Sequence, residues 1–179
     1  MPMLAAAASE SDAGDLLVMP SGILRWRAVS YRCALGRGGV RTDKREGDGA
    51  TPSGRFPLRR VLYRADRLSA PRTLMSATPL TPEDGWCDDP SDVAYNQAVR
   101  LPCAGQHERL WRDDGLYDLI VVIGHNDDPV VPGQGSAVFL HVAGSNYAPT
   151  DGCVALARGD LLDVLAAAGP GDCLRIEAP

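Results

Sequence analysis

The segment Phe139-Leu-His-Val-Ala-Gly-Ser-Asn-Tyr-Ala-Pro-Thr-Asp-Gly-Cys153 decides the reading of this chain. Together with Ala137 and Val138, its first part alternates: Val138, Leu140 and Val142 share one face, and Ala137, Phe139 and His141 share the other. That is the period of a strand with one face on a core. Its end, Thr150-Asp-Gly-Cys153, reads as a turn in which Gly152 supplies a conformation other residues avoid. With the aliphatic face buried, His141 projects to the opposite side, and the turn through Pro149 and Gly152 can bring Cys153 back beside it. A thiol needs a base to release its proton and donors for the developing oxyanion; a strand histidine near a Gly-Cys turn can supply both. The expectation is a Cys153/His141 pair suited to acyl transfer, with the backbone N–H groups of Gly152 and Cys153 as oxyanion donors. The competing reading makes Cys153 a small buried hydrophobe.

Outward from this segment the signals are mostly β. Leu16–Met19 and Ile23–Trp26 flank Pro20-Ser-Gly22 and predict a hairpin, and Ala28–Leu35 alternates as the next strand. Gly36–Gly54 holds six glycines and many charges and is expected to be a long exposed loop. Phe56–Tyr63 reads as a strand. Residues 64–107 are rich in Pro, Asp and Ser and predict irregular structure over the sheet, with Trp86, Tyr95 and Trp111 as anchors. The apolar run Leu119–Ile123 predicts a central strand ending at Gly124-His125-Asn126. Asp160–Ala168 is the one convincing helix, stopped by Gly169-Pro170, and Cys173–Ile176 closes the chain as a strand. The fold class is mainly β, a β-rich α+β sandwich or barrel with one or two short helices. It is expected as one domain over residues 15–179, behind a disordered tail over residues 1–14.

The formal net charge of −5 conceals an asymmetry: residues 25–72 carry about +9 and the remainder about −14. All the basic residues except Lys44 are arginines, which suit planar carboxylates and phosphates. This segment is either a solvated face or an anion-facing rim. No recognition-helix or aromatic-basic pattern supports a nucleic-acid partner. Five cysteines at irregular spacing, without a CxxC pair, fit neither a disulfide framework nor a zinc knuckle. The amino-terminal residues lack the basic and apolar regions of a secretory signal, and no apolar run predicts membrane insertion.

These residues resemble the L,D-transpeptidase catalytic domain, also called the YkuD or ErfK/YbiS/YcfS/YnhG domain. The resemblance rests on His141 followed by Thr150-Asp-Gly-Cys153 and on Thr51-Pro-Ser-Gly54 leading into Arg55-Phe-Pro-Leu58, two motifs in the family's order. The chain departs from the common pattern in three places. Only eleven residues separate His141 from Cys153, Asp151 stands where most members have a second histidine, and Ala155 stands where Arg or Asn is common. The resemblance implies that Cys153 attacks an L-to-D peptide bond of a peptidoglycan stem to give a thioester, which the amine of a second stem resolves to form a 3,3 or 1,3 cross-link. His141 would take the thiol proton and later protonate the leaving amine.

Under this reading Arg41 and Arg45, with Arg37 and Lys44, are expected to hold stem carboxylates. His125 and Asn126 are expected substrate contacts, with His125 alternatively orienting His141. Asp151 either fixes the His141 tautomer or caps its own turn, and Thr150 belongs to the site by its place in the motif. Thr51-Pro-Ser-Gly54 is expected to be a turn that shapes the site wall. Carbapenem-type β-lactams are expected covalent inhibitors, and no cofactor or metal is expected. Three alternatives stand beside it: an L,D-carboxypeptidase or endopeptidase with the same dyad, a zinc site made of His125, His141 and Cys153 with or without Asp151, and an inactive peptidoglycan-binding module. Substrate logic places the protein in the periplasm or cell envelope, and the lack of a visible signal leaves the cytoplasm as the alternative.

Overall fold

The computed structural model describes residues 14–179, so the expected tail lies outside the described residues except for Gly14. The elements in order are β1 (Leu16–Met19), β2 (Ile23–Trp26), β3 (Val29–Ala34), β4 (Val40–Arg41), β5 (Thr51–Pro52), β6 (Gly54–Tyr63), β7 (Ala77–Pro79), β8 (Asp84–Cys87), β9 (Ala98–Arg100), β10 (His107–Arg109), β11 (Leu119–Ile123), β12 (Phe139–Val142), β13 (Val154–Leu156), α1 (Arg158–Ala167) and β14 (Cys173–Ile176). The β1–β2 hairpin, the long β6, the central β11 and the closing β14 stand where hydrophobic alternation and turn residues put them. The helix starts two residues before the expected Asp160.

The main sheet runs β11-β12-β13-β3-β2-β1-β14-β6-β7, and β11 also pairs with β6. That extra pairing closes an eight-stranded ring, because β6 is long enough to meet two neighbours. Its first half pairs with β14 and its second half with β11. Closure removes the open edges that a sheet otherwise exposes.

Strand alternation divides the apolar residues into two cores. Leu16, Val18, Leu24, Leu119, Val121, Leu140, Val142, Val154 and Leu174 share the first with Leu161, Val164 and Leu165 of α1. Ile120, Val122, Phe139 and Cys153 face the other way, into a second core with Trp86, Leu110 and Tyr117. The second core exists because residues 64–117 cover that face. Where irregular structure was expected, this segment forms the small sheet β10-β8-β9, with Trp86 and Tyr95 buried as anchors.

The basic segment finds its counter-charges at home. Arg55 pairs with Asp15, Arg59 with Asp127 and Arg67 with Asp118, each joining the basic stretch to an acid from elsewhere in the chain. Much of the charge asymmetry is therefore spent inside the fold, although exposed pairs of this kind each contribute little to stability.

Leu140 is fully buried at the centre of the first core. Leu140→Ala is expected to lower unfolding free energy by about 2–5 kcal/mol in urea titrations. Val93→Ala, at a side chain almost wholly exposed, is expected to change it by less than about 0.5 kcal/mol.

Candidate active site

β12 and β13 run parallel, with Leu140 opposite Val154 and His141 opposite Ala155. Continuing that register one step back sets Cys153 opposite Phe139, so Cys153 and His141 lie diagonally on one face of neighbouring strands. Both line a single cavity of about 540 Å³, together with Tyr117, Glu108, Arg112 and Lys44. Phe139 N–H donates to Cys153 Sγ at 3.3 Å, and the thiol donates to Ala137 O at 3.2 Å. His141 Nδ1 bonds Val142 O at 2.8 Å. Because a carbonyl only accepts, Nδ1 carries the proton and Nε2 is the basic nitrogen.

Both groups rest uncharged. Burial pushes the His141 imidazole down to about 4, against carbonyls of Val142 and Leu116 that favour the protonated ring. Burial, and next the charge of Glu108, push the Cys153 thiol up to about 12, against the Phe139 N–H, the Tyr117 hydroxyl and Lys44. An imidazolium–thiolate pair is thus not the resting state, because desolvation outweighs the local partners. Cys33, Cys87 and Cys173 are likewise held protonated by burial.

The turn carrying Cys153 is fixed by its neighbours. Thr150 Oγ1 accepts from Gly152 N–H at 3.2 Å and donates to Cys153 O at 2.6 Å. Of the two expected oxyanion donors, that of Gly152 is therefore engaged within the turn. Gly152 has φ of +136°, and a Cβ there would stand 2.8 Å from Ala50 O. The segment pressing on it is the glycine-rich stretch after β3, which was expected to be an exposed loop. Instead Ala50 and Thr51 are fully buried, Arg37 N donates to Thr150 O at 2.9 Å and Thr150 N to Leu35 O at 3.0 Å. Thr51 Oγ1 accepts from Gly36 N at 2.8 Å, and a Cβ at Gly36 would meet Gly49 O at 2.3 Å. Of the expected turn Thr51-Pro-Ser-Gly54, Thr51–Pro52 instead form β5 and Gly54 opens β6, while Ala50, just before it, stands against the Cys153 turn.

Other expected site residues fall elsewhere. Arg41 and Arg45 do not line the Cys153 cavity; Arg45 borders a separate pocket beside Phe56 and His125. The cations at the cavity are Arg37, Lys44 and Arg112. Each has an acidic partner: Asp151, Asp48 and Asp114 respectively. Asp151 therefore neither orients His141, a task done by Val142 O, nor caps its own turn. His125 bonds Gln134 O at 3.1 Å and meets Phe56 edge-on, outside this cavity. Asn126 holds the following loop through Val131 and Gly135. Among the described residues no three His, Cys, Asp or Glu side chains are grouped to hold a metal ion, so the zinc set read from the sequence does not assemble. Nor do they include a helix long and apolar enough to cross a membrane.

Tyr117, Glu108 and Arg112 were missed by sequence reasoning. Tyr117 had a signal: the antiparallel pairing of β11 with β12 carries the residues before Leu119 to the His141 end of β12, where Val142 N donates to Leu116 O at 3.1 Å. Glu108 and Arg112 had none, lying in a polar stretch without periodicity.

The closed, barrel-like sheet thus places Cys153 and His141 on one face of neighbouring strands, in one cavity. The sequence model of the L,D-transpeptidase catalytic domain matches residues 16–176, nearly the whole chain, and the protein belongs to that family. Its members act on peptidoglycan. No curated protein and no solved structure matches the chain significantly.

Two expectations follow. The His141 pKa lies lower in the folded state, about 4, than in the unfolded chain, about 6.5. The unfolded state therefore binds more protons in that interval. Stability is full above about pH 6.5 and falls as pH drops toward about 4, by an amount on the order of 3 kcal/mol. Urea midpoints measured across that range should fall more steeply for the wild type than for His141→Gln, and parallel curves would refute the assignment. Gly152→Ala should cost about 1–3 kcal/mol in the same assay, because backbone conformation and the Ala50 carbonyl both oppose a side chain there.

Proposed function

We propose that the protein is a peptidoglycan L,D-transpeptidase in which Cys153 is the nucleophile and His141 the general base. Supporting this above all is the parallel register of β12 and β13, which sets the thiol and the imidazole diagonally on one face of a shared cavity. Cys153 Sγ attacks the carbonyl of the L-to-D bond, its proton passes to His141 Nε2, and the imidazolium then protonates the leaving amine. A thioester remains. The amine of a second stem attacks it, His141 takes the amine proton, and the thiol is restored.

A neutral resting pair suits this order of events. A substrate that fills the cavity completes desolvation, and the thiol ionises only as its proton is accepted. The Cys153 N–H is the proposed oxyanion donor, with Gly152 N–H joining it when its bond to Thr150 is released. Carbapenems, which offer a strained amide carbonyl, are proposed as covalent inhibitors of the same thiol. The place of action under this reading is the periplasm or cell envelope, where the polymer lies.

The test is mass analysis of muropeptides after incubation with the protein. New cross-linked dimers are expected from the wild type, and the position of the bond distinguishes a 3,3 from a 1,3 product. Cys153→Ala should give none, and His141→Ala should slow dimer formation by about 10²–10⁴-fold. Shortened stems without dimers would replace the transferase with a carboxypeptidase or endopeptidase. Unchanged muropeptides throughout would leave a binding module.

A further inference from the structure

A second cavity lies across Phe139 from Cys153, between the barrel and the covering sheet. It encloses about 400 Å³, with Arg59, Arg60, Trp86, Asn96 and His125 in its wall beside Phe139. Two of these are committed elsewhere. Arg59 grips Asp127 through bonds of 2.9 and 3.1 Å. Asn96 spends its whole amide on the wall: Oδ1 accepts from Trp86 Nε1 at 3.0 Å and Ala137 N at 3.1 Å, and Nδ2 donates to the carbonyls of His125 and Asn126. Burial lowers the His125 imidazole, so it adds no charge near neutral pH.

Arg60 is different. It is half-buried, it stands over the Trp86 ring with its guanidinium carbon 5.9 Å from the centroid, and among the described residues it has no acidic partner. With Arg59 and Asp127 cancelling, Arg60 leaves the cavity one positive charge. A guanidinium held over an aromatic face keeps its in-plane N–H groups for other partners, and their fork matches a carboxylate. A cation partly withdrawn from water without a counter-charge gains most from an anionic ligand.

We propose that this cavity is a carboxylate subsite, in which Arg60 grips one carboxylate of the second stem, whose amine resolves the thioester. The assignment rests on the reading of the protein as a peptidoglycan transpeptidase.

The sheet register supports the placement. Arg60 lies opposite Val122, and Val122 opposite Phe139; the β12–β13 register sets Cys153 opposite Phe139 in turn. The four residues thus form one row across four strands, on the face that the covering sheet packs against. Three strand spacings separate Arg60 from Cys153, about 14 Å between their backbones. An extended peptide of about four residues spans that length. Trp86 and Phe139 meet edge-on at 5.0 Å between the two cavities, while Val138 borders both. Two separate cavities suit a reaction that must hold a thioester and an incoming amine together. The cations of the Cys153 cavity, Arg37, Lys44 and Arg112, already have acidic partners, whereas Arg60 has none.

The test is titration of a tetrapeptide stem into Cys153→Ala protein, followed by the Trp86 indole N–H resonance, which Trp86→Phe assigns. A saturable shift is expected. Amidating the carboxylate that Arg60 holds should weaken binding about 10-fold, and Arg60→Gln should weaken binding of the free acid to the same extent. In Arg60→Gln that amidation should then cost nothing more, as for two halves of one contact. An unmoved Trp86 signal overturns the subsite, as do penalties that add independently for every carboxylate amidated. If Arg60→Gln does not fold, the amide series alone decides: equal binding by every amide overturns the proposal. Wild-type protein acylated by a carbapenem should still bind the stem at Trp86, and lost binding would make the ligand the first stem instead. Cross-linked dimers formed with unchanged apparent affinity in Arg60→Gln sink the subsite alone. Binding at Trp86 without dimers from the wild type sinks the transferase reading and leaves a carboxylate site.

Discussion

The structure depends on one pairing, the parallel ladder between β12 and β13. Parallel neighbours usually need a dozen or more connecting residues, most often with a helix to carry the chain back. Here residues 143–153 make the return with a single turn of 3-10 helix at Ser145–Tyr147, Asn146 being left-handed at φ 56°. The connection is too short to wander, so the register is set from both ends: Val142 beside Leu156 at one, Leu140 beside Val154 at the other. A shift of one residue would turn Cys153 toward the aliphatic core and Val154 toward the cavity. The site is thus a consequence of strand register, and the buried aliphatic face that fixes the register also holds Cys153 and His141 in place.

The strands of the barrel were legible because their physics is local. Alternation in residues 137–142, the apolar run at Leu119–Ile123 and the turn at Pro20-Ser-Gly22 each carry their own signal, and so do His141 and Cys153 through the motifs around them. What sequence could not show is long-range. Residues 36–54 look like a solvated loop by composition, yet Ala50 and Thr51 are buried because the chain folds back on the Cys153 turn. Glycines at 36 and 152 allow that approach; in sequence they signal flexibility as readily as close contact. The arginines misled for a related reason, since a count of charge cannot say that Arg55 and Arg67 will meet Asp15 and Asp118 from distant parts of the chain.

The second core explains why His141 and Cys153 are buried. Without residues 64–117, Ile120, Val122 and Phe139 would face solvent across β11 and β12. The covering subdomain brings Trp86 against Phe139 at 5.0 Å and carries Glu108 on β10. It is pinned to the rest by Tyr95, whose hydroxyl donates to Glu46 and accepts from Gly135 N–H at 3.1 Å. Ser136 Oγ donates to the same Glu46 carboxylate at 2.7 Å. The one-sided burial that moves the pKa values of His141 and Cys153 is therefore built by chain far from either residue in sequence.

The high pKa of the Cys153 thiol has a consequence beyond the proposed acyl-transfer chemistry. Peroxide and small disulfides react with thiolates, and susceptibility to them follows thiolate content and access. A sulfur held up at about 12 and nearly closed to solvent offers an oxidant almost no anion to attack. Sulfenic acid formation and mixed disulfides at Cys153 should be slow for the same reason that the resting thiol stays protonated. Desolvation therefore protects the sulfur chemically, keeping it reduced in surroundings that would consume an exposed, low-pKa cysteine.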